Sequence, residues 1–459
     1  MTYPHALRLA LIGIFGVALI ATGLLAMPSP ADAFTKGSFY KSQVAAERNK
    51  CKKVKGKAKR TCEKAVAGKA SAATNRAMSG NLGLYGHNLK PSQIPASNGT
   101  LIWSKQLPAN ENAARTDFVL YSSKSFPGDR KITVSGTVSV PEGAPPAGGW
   151  PVISWAHGTT GIADQCAPSL GGDQGSYGGA EPLIENWLED GYAVVATDYE
   201  GLGTKGVHPY LIGESAGRGV VDIVKAGRQL DPRIANKMVI AGHSQGGHAA
   251  LFAAGIVPTW GQGINHLGTV PYAPPANLPL QAQGIGALPP DAYGISALAA
   301  TILKGAVVRN PSIDPQDILT PEALALYPLT DQLCLGELGD RFAAGEVGPG
   351  DLLAGPWQGT DSGQDFIEVL VEADPLVDTN RPVLVLQGLQ DTTVQPGLTN
   401  TLVSQLIGRN PGLIEYITYG NAGNPDVLTN GPSDHSSVLL DSLAQADAFL
   451  AERFYGPTQ

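Results

Sequence analysis

Gly242-His243-Ser244-Gln245-Gly246 constrains this chain more than any other stretch, because of what flanks it. Lys237-Met238-Val239-Ile240-Ala241 ahead of it reads as a short buried strand. Gly247 to Ala254 behind it reads as the opening turns of a helix. A G-x-S-x-G set between strand and helix is a nucleophile elbow, in which the turn is so tight that the serine takes strained dihedrals. The glycines two before and two after leave room for the backbones to close. Ser244 Oγ is thereby aimed out of the sheet, with the N–H of Gln245 directed at the same point.

A serine hydroxyl attacks well only when a base takes its proton, so a histidine and an orienting acid are required. In this fold they follow the serine in the order acid, then histidine. Arg381 to Gly388 is a β-rich run, and Asp391 stands in the loop just past its carboxyl end. Open α/β sheets place their chemistry at that edge. After a further strand, Leu413 to Tyr419, a Gly/Asn/Pro-rich loop carries Asp434-His435-Ser436 before a closing helix from about Val438 to Phe454. His435 is the candidate base and Asp391 the candidate acid. The other histidines lie in the leader (His5), flank other motifs (His157, His243, His248), or precede Asp391 (His87, His208, His266). Asp434 is adjacent to the base and badly placed to reach its Nδ1, and Asp374 and Asp378 precede the strand.

Charge developing on a substrate oxygen needs two preorganised N–H donors. Gln245 supplies one. The other belongs in the loop after the strand Pro151 to Ala156, namely His157-Gly158-Thr159-Thr160-Gly161, where Thr159 is the choice and Thr160 the near alternative. His157 reads as a loop brace.

The ordered set His157 to Gly161, Cys166-Ala167-Pro168-Ser169, Asp198-Tyr199-Glu200-Gly201-Leu202-Gly203 and His208-Pro209-Tyr210-Leu211, with the elbow and the Asp391 loop, resembles the secretory lipase family, the lipase-A-type α/β-hydrolases. The resemblance runs from about Leu101 to the C-terminus. It implies a secreted carboxylic ester hydrolase, often acting on acylglycerols, with a lid inserted after the strand that follows the elbow. The family's catalytic positions carry over to Ser244, Asp391 and His435.

The strand and helix pattern agrees. Gly99–Gln106, Thr116–Ser122 and Lys131–Val140 read as leading strands, Tyr192–Thr197 and His266–Tyr272 as core strands, and Gly219–Leu230 as a helix between them. Strands alternating with helices predict a mostly parallel sheet covered on both faces, an α/β-hydrolase fold. Ser244 and Asp391 are 147 positions apart, and the excess between Pro274 and about Pro375 reads as a mainly helical cap. One helix, Ala292 to Val308, gathers Ile295, Leu298, Ala299, Ile302 and Leu303 on one face. A second starts at Thr320-Pro321-Glu322, a cap followed by proline at the first helical position.

The expected organisation is a secretory leader at 1–33, a basic segment at 34–90, the core at 91–275 and 376–459, and the cap at 276–375. The leader combines Arg8, an apolar run from Leu9 to Met27 and an Ala31-Asp32-Ala33 cleavage site. The run is also long enough to span a bilayer, so an uncleaved anchor is the alternative. The chain carries a formal −8, yet residues 34–90 hold 14 Lys and Arg against Glu47 and Glu63, leaving about −20 for the rest. The basic arm reads as a solvated helix or as a weak electrostatic contact to anionic envelope surfaces. Aromatic residues do not interleave with its lysines, which argues against nucleic acid.

Four cysteines allow three pairings outside the cytosol. Cys51–Cys62 would be a local clip, and Cys166–Cys334 would tie the oxyanion loop to the cap, a pairing that the resemblance supports. Neither C-x-x-C nor H-E-x-x-H occurs, so no metal is expected, and no cofactor is called for. The partner is an ester or lipid substrate. The same catalytic set also serves serine peptidases and polyester or phenolic-ester hydrolases, and a binding protein on the scaffold is a further reading.

Overall fold

The computed structural model describes residues 89–171, 177–420 and 431–457. The expected leader, most of the basic arm, and Cys51 and Cys62 lie outside the described residues. Among them, nine strands form one sheet in the order β1-β2-β3-β5-β4-β6-β7-β8-β9. The strands are β1 Leu101–Leu107, β2 Ala113–Lys124, β3 Lys131–Pro141, β4 Trp150–Ala156, β5 Ala193–Thr197, β6 Ile234–His243, β7 Asn265–Tyr272, β8 Val383–Gly388 and β9 Ile414–Tyr419. The first three pair antiparallel and join β5 antiparallel, and every pairing from β5 through β4 to β9 is parallel.

The central strands are apolar almost without interruption and buried along their whole length, as in Trp150–Ala156, Ala193–Thr197 and Val383–Gly388. That is the mark of a sheet covered on both faces. The two-residue period sorts them cleanly. Ile153, Trp155, Val194, Ala196, Val239 and Ala241 face a core closed by α1 (Glu181–Glu189) and α11 (Leu443–Tyr455), with Trp187 and Leu450 at its centre. Val152, Ala156, Ala193, Val195, Met238 and Ile240 face the opposite core, under α2 (Gly213–Leu230) and α3 (Gln245–Trp260).

The sequence between β7 and β8 forms most of a third core, which Ile162, Tyr210, Leu211 and Ile212 complete. It is built by α4 (Leu278–Gly284), α5 (Tyr293–Arg309), α6 (Pro321–Leu326), α7 (Leu335–Ala344) and α8 (Asp361–Glu372). The cap at α6 is as read: Thr320 Oγ1 accepts from Ala323 N–H at 3.3 Å, with Pro321 at the first position. α9 (Pro396–Arg409) then links β8 to β9.

Two helices differ in extent from the sequence reading. The helix expected from Gly219 starts six residues earlier, at Gly213, where Gly213 and Gly217 lie against Phe252 and Ala253 of α3. Side chains there would hold the two helices apart. The closing helix is two, α10 (Val438–Asp441) and α11, broken at Ser442, whose Oγ bonds back to Val438 O at 2.5 Å.

Cys166 and Cys334 are joined by a disulfide, so the loop after β4 is fastened to the start of α7. Closing a loop of 168 residues mainly restricts the unfolded chain. Replacing both cysteines by alanine should lower unfolding free energy in urea by about 2–5 kcal/mol. An unchanged urea midpoint would show the bridge to be thermodynamically idle.

Candidate active site

Ser244 caps α3 at the carboxyl end of β6 with φ 56° and ψ −119°. A non-glycine residue at positive φ costs of order 1–3 kcal/mol and persists only where its surroundings hold it. Here Ser244 N–H donates to Tyr272 O at 2.9 Å and Ser244 O accepts from His248 N–H at 3.1 Å. A Cβ on Gly242 would collide with Gly246 O, and one on Gly246 would collide with Ala156 O. The two glycines are therefore required by contact, as the sequence reading anticipated for the elbow.

The expected acid and base meet across 44 positions of sequence. His435 Nδ1 and Asp391 Oδ2 are 2.7 Å apart, and the carboxylate is fully buried. Asp391 Oδ1 accepts from the N–H groups of Thr393 (2.8 Å) and Val394 (2.7 Å), and Oδ2 accepts from Gln387 Nε2 at 3.1 Å. These bonds fix the carboxylate, which in turn selects the Nδ1–H tautomer and leaves Nε2 as the basic atom. His435 is joined to the elbow through His243, whose Nε2–H donates to His435 O at 2.6 Å while the two rings lie 4.6 Å apart. Asp434 instead accepts from Ser436 and Ser437 N–H and shapes its own turn. Ser244 Oγ makes no hydrogen bond to His435 in this geometry. Such contacts are often looser without substrate.

The loop after β4 lies against the elbow. A Cβ on Gly158 would stand 3.7 Å from Ser244 Cβ. Thr159 follows, half-buried, with its Oγ1 2.5 Å from Tyr210 OH. Thr160 is buried, and its carbonyl accepts from Leu335 N–H at 3.0 Å, which ties the loop to α7. Gln245 opens α3, where N–H groups of the first turn lack helical partners. His157 is buried and braces its own loop, donating from Nδ1 to Gly158 O at 2.6 Å. Sequence reasoning did not single out His208, Tyr210, Gln387 or the linking role of His243. His208 and Tyr210 stood in a noticed motif, but nothing in its spacing states what they touch.

Among the described residues no group of three or more His, Cys, Asp or Glu side chains converges on a metal position. An apolar cavity of about 300 Å³ lies between the helices after β7 and the Asp391 loop. Its walls include Ile295, Leu298, Ala299, Ile302 and Leu303, the face of α5 read from the sequence, together with Thr392 and Thr393.

The secretory lipase family model matches residues 179–314, a span that holds the elbow. Over that span the chain is similar to the secretory lipases. That similarity supports a carboxylic ester hydrolase. Solved structures share the fold at low identity. The rice cell wall degrading esterase LipA from Xanthomonas oryzae is 19% identical with a TM-score of 0.62, over 78% of this chain and 98% of that one. Lipase A of Candida antarctica in its closed state is 17% identical with a TM-score of 0.64, over 81% and 88%. A putative hydrolase from Legionella pneumophila is 17% identical with a TM-score of 0.62, over 78% and 100%. No curated protein sequence matches the chain. Among the described residues no helix is long and apolar enough to cross a membrane.

Burial holds the framework imidazoles neutral. It lowers His157, His208, His248 and His266 to about 4, and His243 to about 3. Below pH 6.5 the unfolded chain binds protons at these histidines that the folded chain refuses, so stability falls as pH drops from 6.5 toward 4. Asp198, raised to about 6 by burial, opposes this between 3.8 and 6, as do Glu200 and Asp222, which burial also raises. Burial raises Glu185, Asp190, Asp374 and Asp447 as well, but unfolded histidines take up their protons between pH 7.5 and 5, above the ordinary carboxylate range, so the urea midpoint should be lower at pH 5 than at pH 7.5. A midpoint that holds or rises on acidification would contradict the neutral-histidine framework.

Proposed function

We propose that this chain is a secreted serine hydrolase that cleaves carboxylic esters of acylglycerol type through an acyl-enzyme on Ser244. The observation that carries the reading is the buried Asp391–His435 pair, 2.7 Å apart, stapled by His243 beside a strained serine elbow. His435 Nε2 takes the Ser244 proton as Oγ attacks the ester carbonyl. The same proton passes to the leaving alkoxide, releasing an alcohol and leaving an acyl-serine. Water then attacks under the same base and frees the acid. Asp391 holds the imidazole orientation and stabilises the imidazolium. The N–H groups of Thr159 and Gln245 receive the charge that develops on the carbonyl oxygen. The segment 1–33 acts as the leader, and 276–375 as the cap.

The apolar cavity supports an acyl-chain substrate, since its walls are mostly aliphatic and it abuts the loop that carries Asp391. Ser244→Ala should lower kcat on a p-nitrophenyl ester by roughly four to six orders of magnitude with the fold intact. Near-normal turnover by the folded variant would sink the mechanism. Parallel p-nitroanilides separate esterase from peptidase, and only the ester should turn over.

Leu298→Trp places an indole in the cavity wall. It should lower kcat/KM on p-nitrophenyl palmitate relative to p-nitrophenyl butyrate by about ten-fold. An unchanged ratio would mean that the acyl chain lies elsewhere.

A further inference from the structure

Four rings stack beneath the oxyanion position. His157 lies 4.4 Å from Tyr199, Tyr199 stacks on His208 at 5.6 Å, and His208 meets Tyr210 edge-on at 6.1 Å. The stack ends on two polar contacts that the ester mechanism does not use. Tyr210 OH is 2.5 Å from Thr159 Oγ1. Gln245 Nε2 is 2.8 Å from His208 Nε2.

The direction of the second bond follows from its neighbours. His208 Nδ1 is 2.8 Å from Glu200 O, a carbonyl that only accepts, so Nδ1 carries the proton. The neutral ring then presents a lone pair at Nε2, and the Gln245 amide donates to it. Glu200 is itself held, its carboxylate accepting from Ser215 Oγ–H at 2.6 Å and Phe126 N–H at 3.4 Å. Tyr210 is buried in the helical core between β7 and β8, where its backbone packs directly on Gly305 of α5.

Resting on the proposed acyl-enzyme reading, we infer that His208-Pro209-Tyr210 is one brace that sets both oxyanion N–H groups, Tyr210 through Thr159 and His208 through Gln245. Both are positioning residues. The two donors come from different places, one from the loop after β4 and one from the start of α3, 86 positions apart. Oxyanion stabilisation needs them preorganised on a single oxygen before charge develops, because reorganising dipoles during the reaction forfeits the gain. A loop that touches both, and is locked by Glu200 and by α5, supplies that common reference. It also makes the packing of the helical insertion an input to the rate: a shift of α5 moves Tyr210, and Tyr210 moves Thr159.

The test uses the full mature chain with p-nitrophenyl butyrate and an alkylboronic acid inhibitor. The boronic acid accepts Ser244 Oγ on boron, the serine proton goes to His435, and the tetrahedral borate mimics the oxyanion intermediate. Tyr210→Phe should lower kcat by about 10- to 100-fold, less than the 10²–10³ lost when a donor is deleted. Boronate affinity should fall by a similar factor while KM stays within about two-fold. Thr159→Val breaks the same bond from the other side. The double variant should lose no more than the worse single one. His208→Phe should add a separate loss of kcat on top of Tyr210→Phe, since it acts on the other donor.

Should Tyr210→Phe fail to fold, the comparison of kcat, KM and boronate affinity in Thr159→Val decides the same point. Full wild-type kcat in folded Tyr210→Phe overturns the brace alone. So do losses in the Thr159/Tyr210 pair that multiply, or a KM that rises as kcat falls. Turnover that persists in Ser244→Ala overturns the acyl-enzyme reading and the brace with it.

Discussion

A Cβ on Gly246 has no room, because the start of α3 sits directly on the carbonyl of Ala156 at the end of β4. Gly247 is nearly as confined, its missing Cβ 2.6 Å from Tyr272 O at the end of β7. The elbow is thus wedged between the carboxyl ends of its two parallel neighbours, and Ser244 N–H completes the hold by donating to Tyr272 O. Positive φ at a serine survives because this contact over-determines the turn. The rest follows from it. The register of β4, β6 and β7 fixes the height of Ser244 Oγ, and the same carbonyl of β4 leads straight into Gly158 and Thr159. Strand pairing therefore sets the distance between Ser244 and the loop after β4 before any side chain of the site contributes.

The helices between β7 and β8 are fastened to that edge at several points. His248 of α3 bonds Ala373 O at 2.6 Å, and Asp374 accepts from Asn277 N–H at 2.6 Å, so the entry and exit of the insertion meet beside the elbow helix. At the far side the disulfide, the Thr160–Leu335 bond and a bridge between Gly161 and Cys334 join it to the loop after β4. A segment anchored at both ends and in the middle moves only by breaking these bonds or by sliding within its own core. Packing of the insertion is accordingly coupled to the loop after β4 and to the elbow helix, rather than hinged freely above them.

How much of this was legible depended on the range of the interaction. The central strands could be read because burial on both faces writes a continuous apolar run, and the elbow because contact between backbones demands glycine. The α5 face was visible as a helical period, and the five residues named from it line the cavity. Asp391 and His435 were reachable through chain order and strand ends. What could not be read was pairwise and distant. The His208–Gln245, Tyr210–Thr159 and His243–His435 contacts span 37, 51 and 192 positions, and no period or spacing encodes them. The early start of α2 was hidden for a related reason. Gly213-Glu214-Ser215-Ala216-Gly217 has poor intrinsic helix propensity, and close packing on Phe252 and Ala253 overrides it.

The electrostatics of the site follow from the same burial. Turnover on the proposed path creates one positive charge, on His435, and one negative charge, on the substrate oxygen. A second cation beside His435 would oppose the first and raise the barrier, and His243 lies within ring contact of it. Burial removes that hazard by holding His243 neutral, and its single Nε2–H is committed to His435 O. His157 and His208 are kept neutral in the same way, so each offers one donor and one acceptor at fixed positions. The surroundings of the nucleophile are then dipoles rather than mobile charges. In a water-poor site, dipoles already oriented toward the developing charge stabilise it without reorganising. The cost is carried by the folded chain, which must keep these imidazoles unprotonated as the solvent turns acid.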